Sequence, residues 1–290
     1  MGSDGGLPEA HAPRLTRHQG TSEGPIRTLA VDWSGSASGS ARTTWIAEAV
    51  DGDLRFLESG RGRPEVVRFL IELAGSDPQV VVGLDFAFSL PAWFLRQGGF
   101  QSAPELWKTV ALEGDRWLAA CEPPFWGRPG TRRPDLGQRA HFRTTELNVP
   151  TTHGIRPKSV FQVGGAGTVG TGSIRGMSIL ATLHEAGFGI WPFHRPHLPT
   201  VVEIYPRLLT GAVRKSSLVE RRDYLVRLGM TGPETLLAIA GAGEDAFDAA
   251  VSAFVMSRHA AELSELPELT DEQTRLEGAI WFPTHAAIAG

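Results

Sequence analysis

Residues 80–86 read Val80-Val81-Val82-Gly83-Leu84-Asp85-Phe86, an apolar run interrupted only by a carboxylate near its end. β-Branched residues without polar alternation suit a strand covered on both faces, so the run predicts a central, buried strand. Just upstream, Val66, Val67, Leu70, Ile71 and Leu73 recur at helical spacing behind Pro64, which fits a first helical turn. A helix is expected from Pro64 through Ala74. Further back lie three shorter extended runs, 27–33, 43–50 and 54–59, the last two separated by Asp51-Gly52-Asp53. Asp-Gly between such runs is a strong hairpin signal.

The predicted order is therefore strand, strand, strand, helix, strand. An antiparallel three-stranded meander followed by a parallel strand is the opening of a ribonuclease H-like α/β domain, a mixed sheet flanked by helices. Residues from about 92 to 172 do not fit that core. They carry a Trp-rich helix near Pro104–Cys121, a Pro/Arg-rich loop and a Gly-rich segment, and are read as a large insertion or cap. Beyond it, a helix is expected over Ile174–Ala186, closed by Gly187 in a left-handed cap. Strands over 189–193 and 200–205 follow, then helices over 218–228 and 233–240. A long helix from Glu244 to Leu263 and a short extended piece over 277–283 end the pattern.

The bulk composition suits one such domain. The chain has 290 residues, 41% hydrophobic and 21% charged, with a formal net charge of −4. No global positive field draws it to nucleic acid, so any polyanion contact must be local. The one cysteine, Cys121, allows no intramolecular disulfide and no Cys-rich zinc site, and reads as a small packed hydrophobe. No run of about 18 apolar residues is present, so no membrane span is expected. Residues 1–25, rich in Gly, Pro and His, read as a disordered tail rather than a secretory signal. A cytoplasmic protein without membrane contact is expected, with the ordered domain running from 26 to 290.

Acidic groups stand where a soluble fold normally avoids them. Asp32 ends the first strand, Asp85 the fourth, and Glu203 interrupts Val201-Val202-Glu203-Ile204. Asp245 and Asp248, three apart, share a face of a helix otherwise rich in Ala, Val, Phe and Met. A buried ionised carboxylate is costly unless it is paired or bound to a cation. Several gathered at one locus call for a hard divalent ion, and oxygen ligands favour Mg2+ or Mn2+ over zinc. Asp32, Asp85, Asp245 and Asp248 are the expected metal ligands, and Asp32, Asp85, Glu203 and Asp248 the expected catalytic carboxylates. Two ions roughly 3.5–4 Å apart would clamp an in-line phosphoryl displacement. Simpler roles stand beside this one. Asp85 could cap a helix near Pro91, Asp32 could set the Ser34-Gly35 turn, Glu203 could pair with an arginine, and Asp245 could complement its helix dipole.

At these residues the chain resembles the family known as domain of unknown function 429, whose members are predicted nucleases. The matching pieces are Val31-Asp32-Trp33-Ser34-Gly35, residues 83–91 around Asp85, 161–176, Val202-Glu203-Ile204-Tyr205-Pro206, Asp245-Ala246-Phe247-Asp248-Ala249 and residues 277–283. The resemblance implies a ribonuclease H-like fold and nuclease activity. The wider relatives include Holliday-junction resolvases, which use a first-strand Asp, a fourth-strand acid and a helical acidic pair. Asp32, Asp85, Asp245 and Asp248 occupy comparable places, with Asp85 where resolvases generally have Glu.

Between Phe125 and Lys158 lie six Arg and one Lys against one Asp and one Glu, with Phe125, Trp126 and Phe142 interleaved. Basic side chains hold phosphates and aromatic rings stack bases, so this stretch is a candidate nucleic-acid surface. Its expected substrate-binding residues are Trp126, Arg132, Arg133, Arg139, Arg143 and Lys158, joined by Ser34. The competing reading is a solvated loop whose aromatics fold inward. His141 and His153 are possible proton donors. The run 164–172 could offer backbone N–H groups to a phosphate ahead of a helix, or form a tight structural turn. The leading expectation is a Mg2+- or Mn2+-dependent nuclease. The alternatives are an ATP-dependent phosphotransferase of the actin-like type and a non-catalytic nucleic-acid-binding module.

Overall fold

The computed structural model describes residues 24–151, 154–165 and 167–284. Strand β1 (Arg27–Asp32), helical turn α1 (Ser40–Thr43) and strands β2 (Trp45–Val50) and β3 (Asp53–Ser59) come first. Helix α2 (Arg63–Ser76) leads into β4 (Val80–Leu84), and α3 (Ala92–Gln97), α4 (Ala103–Ala120), α5 (Thr144–Asn148) and α6 (Gly170–Glu185) follow. After β5 (Gly189–Ile190) and β6 (Thr200–Ile204) come α7 (Pro206–Thr210), α8 (Leu218–Leu228), α9 (Glu234–Ala242) and α10 (Glu244–Arg258). Helices α11 (Ala260–Ser264) and α12 (Glu272–Glu277) and strand β7 (Ile280–Trp281) complete the described part.

The strands form one mixed sheet in the order β3-β2-β1-β4-β6-β5. The β1–β2 and β2–β3 pairs are antiparallel, whereas β1–β4, β4–β6 and β6–β5 are parallel. β7 pairs with the second half of β6, alongside Glu203 and Ile204. The β2–β3 hairpin closes through Asp51 and Gly52, at φ 51° and 80°. Two successive positive φ angles make the primed turn that matches strand twist, which explains why the sequence reads Asp-Gly there.

Alternate strand residues enter two separate cores. Leu29, Val31, Val82 and Leu84 pack beneath α2, α4 and α6, whereas Ala30, Ala47, Ala49, Val81 and Val202 face α10. The result is a helix–sheet–helix sandwich. Each fully buried Leu, Val or Phe contributes about 1.5–3 kcal/mol, so both layers hold the sheet. On the second face, Ala246, Ala249, Ala250 and Ala253 are all buried, small enough to let the α10 backbone come close. Thr28 Oγ1 donates to Ala253 O at 3.0 Å, joining β1 to that helix. Gly83 belongs to the same contact, since a Cβ there would lie 2.7 Å from Met256 Sδ.

The structure departs from the sequence reading in several places. α4 is not part of a peripheral cap: Leu106, Trp107, Val110 and Leu118 belong to the first core, and Trp107 Nε1 donates to Phe88 O at 2.7 Å. The segment that does stand apart from helices and strands is mainly 122–169. The expected helix 244–263 breaks at His259 (φ −116°, ψ 25°) into α10 and α11. The strand expected over 189–193 spans only Gly189–Ile190, and α1, α5, α7 and α12 were not anticipated. The tail over 1–25 lies almost wholly outside the described residues, as does His153. No helix of the described residues is long and apolar enough to cross a membrane.

Candidate active site

The parallel register Val31↔Leu84 places the residues that follow, Asp32 and Asp85, beside each other at the carboxyl ends of β1 and β4. The Asp85 amide donates to Val31 O at 3.1 Å, extending the ladder to that point. Side chains alternate along a strand. Asp32 therefore shares the face of Ala30, and Asp85 that of Val81 and Gly83, which is the face covered by α10. α10 carries Asp245 in its first turn and Asp248 three residues on, and Asp248 is only 7% exposed.

The electrostatics bear out this convergence. Burial, reinforced by the charges of Asp85, Asp248 and Asp245, raises the Asp32 carboxyl well above the usual range. Burial and the Asp248 charge push Asp85 up to about 8. Asp248 is also raised by burial, against the pull of Lys215 and Arg207. Asp245, half-buried, is raised by burial and by Glu244. Like charges this close disfavour joint ionisation unless a cation joins them.

One cation is already there, from a residue that the sequence reading missed. Lys215, in the loop before α8, sets its ammonium on Asp248 Oδ2. The other oxygen, Oδ1, is buried and has no hydrogen-bond partner. Tyr205 was also overlooked; its hydroxyl is held above the usual range by burial and by the charges of Asp85 and Asp248. A lysine in a Ser-rich loop carries no sequence signal that would mark it.

Glu203 lies on the other face of the sheet from these groups, although its charge adds to the rise of Asp85 and both line one cavity. Its register partner is Leu84, so it points to the opposite face of the sheet from Asp32 and Asp85. There its Oε2 accepts from Phe88 N at 2.9 Å and from Arg143 Nη1 at 2.8 Å, while Oε1 accepts from Arg143 Nη2. With both oxygens committed, its expected catalytic role gives way to that of a buried ion-pair partner. Arg143 is corrected likewise. It lines the cavity beside Asp85 but is 1% exposed, with its guanidinium bound by Glu146 as well as Glu203.

Trp126 is also a structural residue. Its backbone exchanges hydrogen bonds with Phe161 and Val163, and its ring packs against the core beside buried Phe125. Phe125 and Trp126 thus fold inward. Arg132, Arg133 and Arg139 remain exposed, Arg133 over the Phe142 ring and Arg139 over Trp93. The Ser34 hydroxyl accepts from Thr43 Oγ1 and from Ser36 N, which makes it part of the turn after β1. The glycine run serves packing: a Cβ on Gly170 would lie 2.2 Å from Val160 O, and one on Gly164 2.4 Å from Gly127 O. His141 is half-buried and lowered in pKa by burial and by Arg133.

A cavity of about 370 Å³ opens beside Asp85 at the strand ends, lined among others by Trp33, Lys158, Thr171, Glu203 and Tyr205. Such a volume suits one small ligand or a single nucleotide unit rather than a duplex. The carboxylates nearby offer only oxygen donors, the chemistry of a hard cation, and Asp248 Oδ1 is a buried acceptor without a donor. Asp32, Asp85 and Asp248 fit such an ion in donor type. In their present positions, no group of three or more His, Cys, Asp or Glu side chains among the described residues is arranged to hold a metal. Comparison with protein-family models gives no match, and comparisons with curated proteins and with solved structures give none either.

Proposed function

We propose that this protein is a nuclease of the ribonuclease H-like fold that hydrolyses phosphodiester bonds with Mg2+ or Mn2+. The strand order β3-β2-β1-β4, antiparallel up to β1 and parallel beyond, supports that fold. The observation that carries the reading is the meeting of Asp32, Asp85 and Asp248, from two strand ends and a helix, on one face of the sheet. Asp32, Asp85 and Asp248 would hold the metal, with Asp245 half-buried at the margin. The ion, when bound, activates water and neutralises charge on the phosphate. The chain's own part is to orient the phosphate: Lys158 stands at the cavity wall, and Arg132, Arg133 and Arg139 lie on the exposed loop.

A second reading is a phosphotransferase, favoured by the same cavity, where the amino end of α6 adjoins Asp85. A panel of single-stranded, duplex, hybrid and branched DNA and RNA, incubated with Mg2+ or Mn2+, separates the two. Metal-dependent cleavage that is lost in Asp32→Asn and Asp248→Asn supports the nuclease. Stabilisation by ATP at micromolar concentration, without cleavage of any polymer, supports the phosphotransferase.

A further inference from the structure

We propose that Lys215 is the resident counter-ion of the carboxylate cluster, holding Asp248 until a divalent cation displaces it. This rests on the metal-site reading above. The ion pair is largely removed from water, its two side chains being 16% and 11% exposed. The loop that delivers the ammonium is fixed from below by buried Arg221, which donates to the carbonyls of Lys215, Gly241 and Ala242. That clamp ties the Lys215 loop to the end of α9, immediately ahead of the helix turn bearing Asp245 and Asp248.

The position of Lys215 matters because its ammonium sits directly on Asp248 Oδ2. Arg207, the other cation near Asp248, has its Nη1 on the carbonyls of Gly211 and Val213. Yet the pairing is incomplete. A buried acceptor without a donor is costly, and the ammonium leaves Asp248 Oδ1 in that condition. A divalent ion brings twice the charge, while a lysine on a four-carbon stem can withdraw toward solvent without moving its backbone. Metal and ammonium thus compete for one carboxylate, and apparent metal affinity is reduced by the pair that must first be broken.

The test is Mn2+ binding, read from the electron paramagnetic resonance of free Mn2+, in wild type, Lys215→Met, Lys215→Gln and Asp32→Asn. Circular dichroism confirms that each variant is folded. Both Lys215 variants are expected to bind Mn2+ more tightly than wild type, by about tenfold, and Asp32→Asn to bind little. Wild-type binding that Lys215→Met and Lys215→Gln leave unchanged or weaken would overturn the competition and spare the metal site. Absence of binding in every protein would overturn the metal site itself, and the competition with it.

Discussion

Arg143 Nη1 lies 2.8 Å from Glu203 Oε2, and the two residues, 60 apart in sequence, form a buried pair beneath the carboxyl ends of β4 and β6. Glu146 and the Glu277 carbonyl complete the enclosure of the guanidinium. The Glu277 carboxylate in turn accepts from the amides of Ala92 and Thr144. This network fastens the 122–169 segment and the C-terminal strand to the sheet edge.

Removing one member of such a network leaves charges buried without compensation. Arg143→Met is therefore expected to destabilise the fold by about 3–5 kcal/mol. Glu203→Gln, which keeps an acceptor for Phe88 N, is expected to cost less, about 1.5–3 kcal/mol. Urea unfolding measures both. Glu203→Gln should retain divalent-metal binding, because the residue faces away from Asp32.

The raised carboxyls make metal-free stability depend on pH in a defined direction. Asp85 titrates at about 8 in the fold against an ordinary 3.8, so folding favours its neutral form. Its contribution is fully present below about pH 4 and is lost as pH rises through about 8. In the presence of a chelator, Asp85→Asn should be the more stable protein at about pH 8, by roughly 1 kcal/mol or more, equivalent to about 2–4 °C in Tm. The difference should close toward pH 4. Thermal melts across that range test it, and a wild type that is most stable at high pH would contradict it.

Gly35 and Gly83 should respond differently to a methyl group. A Cβ on Gly35 would lie 2.6 Å from the backbone nitrogen of Gly172, a wall that cannot turn aside. At Gly83 the close atoms are side-chain ones, Met256 Sδ at 2.7 Å and Ile204 Cγ2 at 2.9 Å, which can shift where a backbone wall cannot. Gly35→Ala is expected to cost about 1–3 kcal/mol and Gly83→Ala less. Denaturant midpoints of the two variants decide the order.

If the exposed arginines hold a strand, their loss should appear in the salt dependence of binding. Replacing Arg132, Arg133 and Arg139 together by Gln should lower affinity for single-stranded DNA. It should also reduce the slope of log K against log salt by about 2, at about 0.7 per phosphate contact. Fluorescence anisotropy over a salt series measures it. An unchanged slope would show that this surface contacts no phosphate.

Much of this arrangement is written in the local sequence. The β-branched run before Asp85, the Asp51-Gly52 turn and the three-residue spacing of Asp245 and Asp248 are local signals, and the structure contains each element they announce. Glu203 misled because its face depends on the register between β6 and β4, a tertiary fact that a single apolar strand does not encode. Arg143 misled for the same reason: a basic, loop-rich stretch reads as solvated until its partners, Glu203 and the Glu277 carbonyl, are folded around it. No Gly or Pro marks the break at His259, so an apolar helical pattern ran through it. Lys215 was invisible because its importance comes wholly from Asp248, 33 residues away.

In the proposed nuclease, Asp32, Asp85 and Asp248 form one cation site. Its most direct test is the unfolding temperature as a function of Mg2+ or Mn2+ concentration in wild type, Asp32→Asn and Asp248→Asn. A ligand that binds only the folded state at 100 times its Kd stabilises by about 2.7 kcal/mol. The unfolding temperature of wild type is expected to rise with metal, and that of both variants to stay flat. A flat wild-type response, or an equal rise in Asp32→Asn, would contradict it.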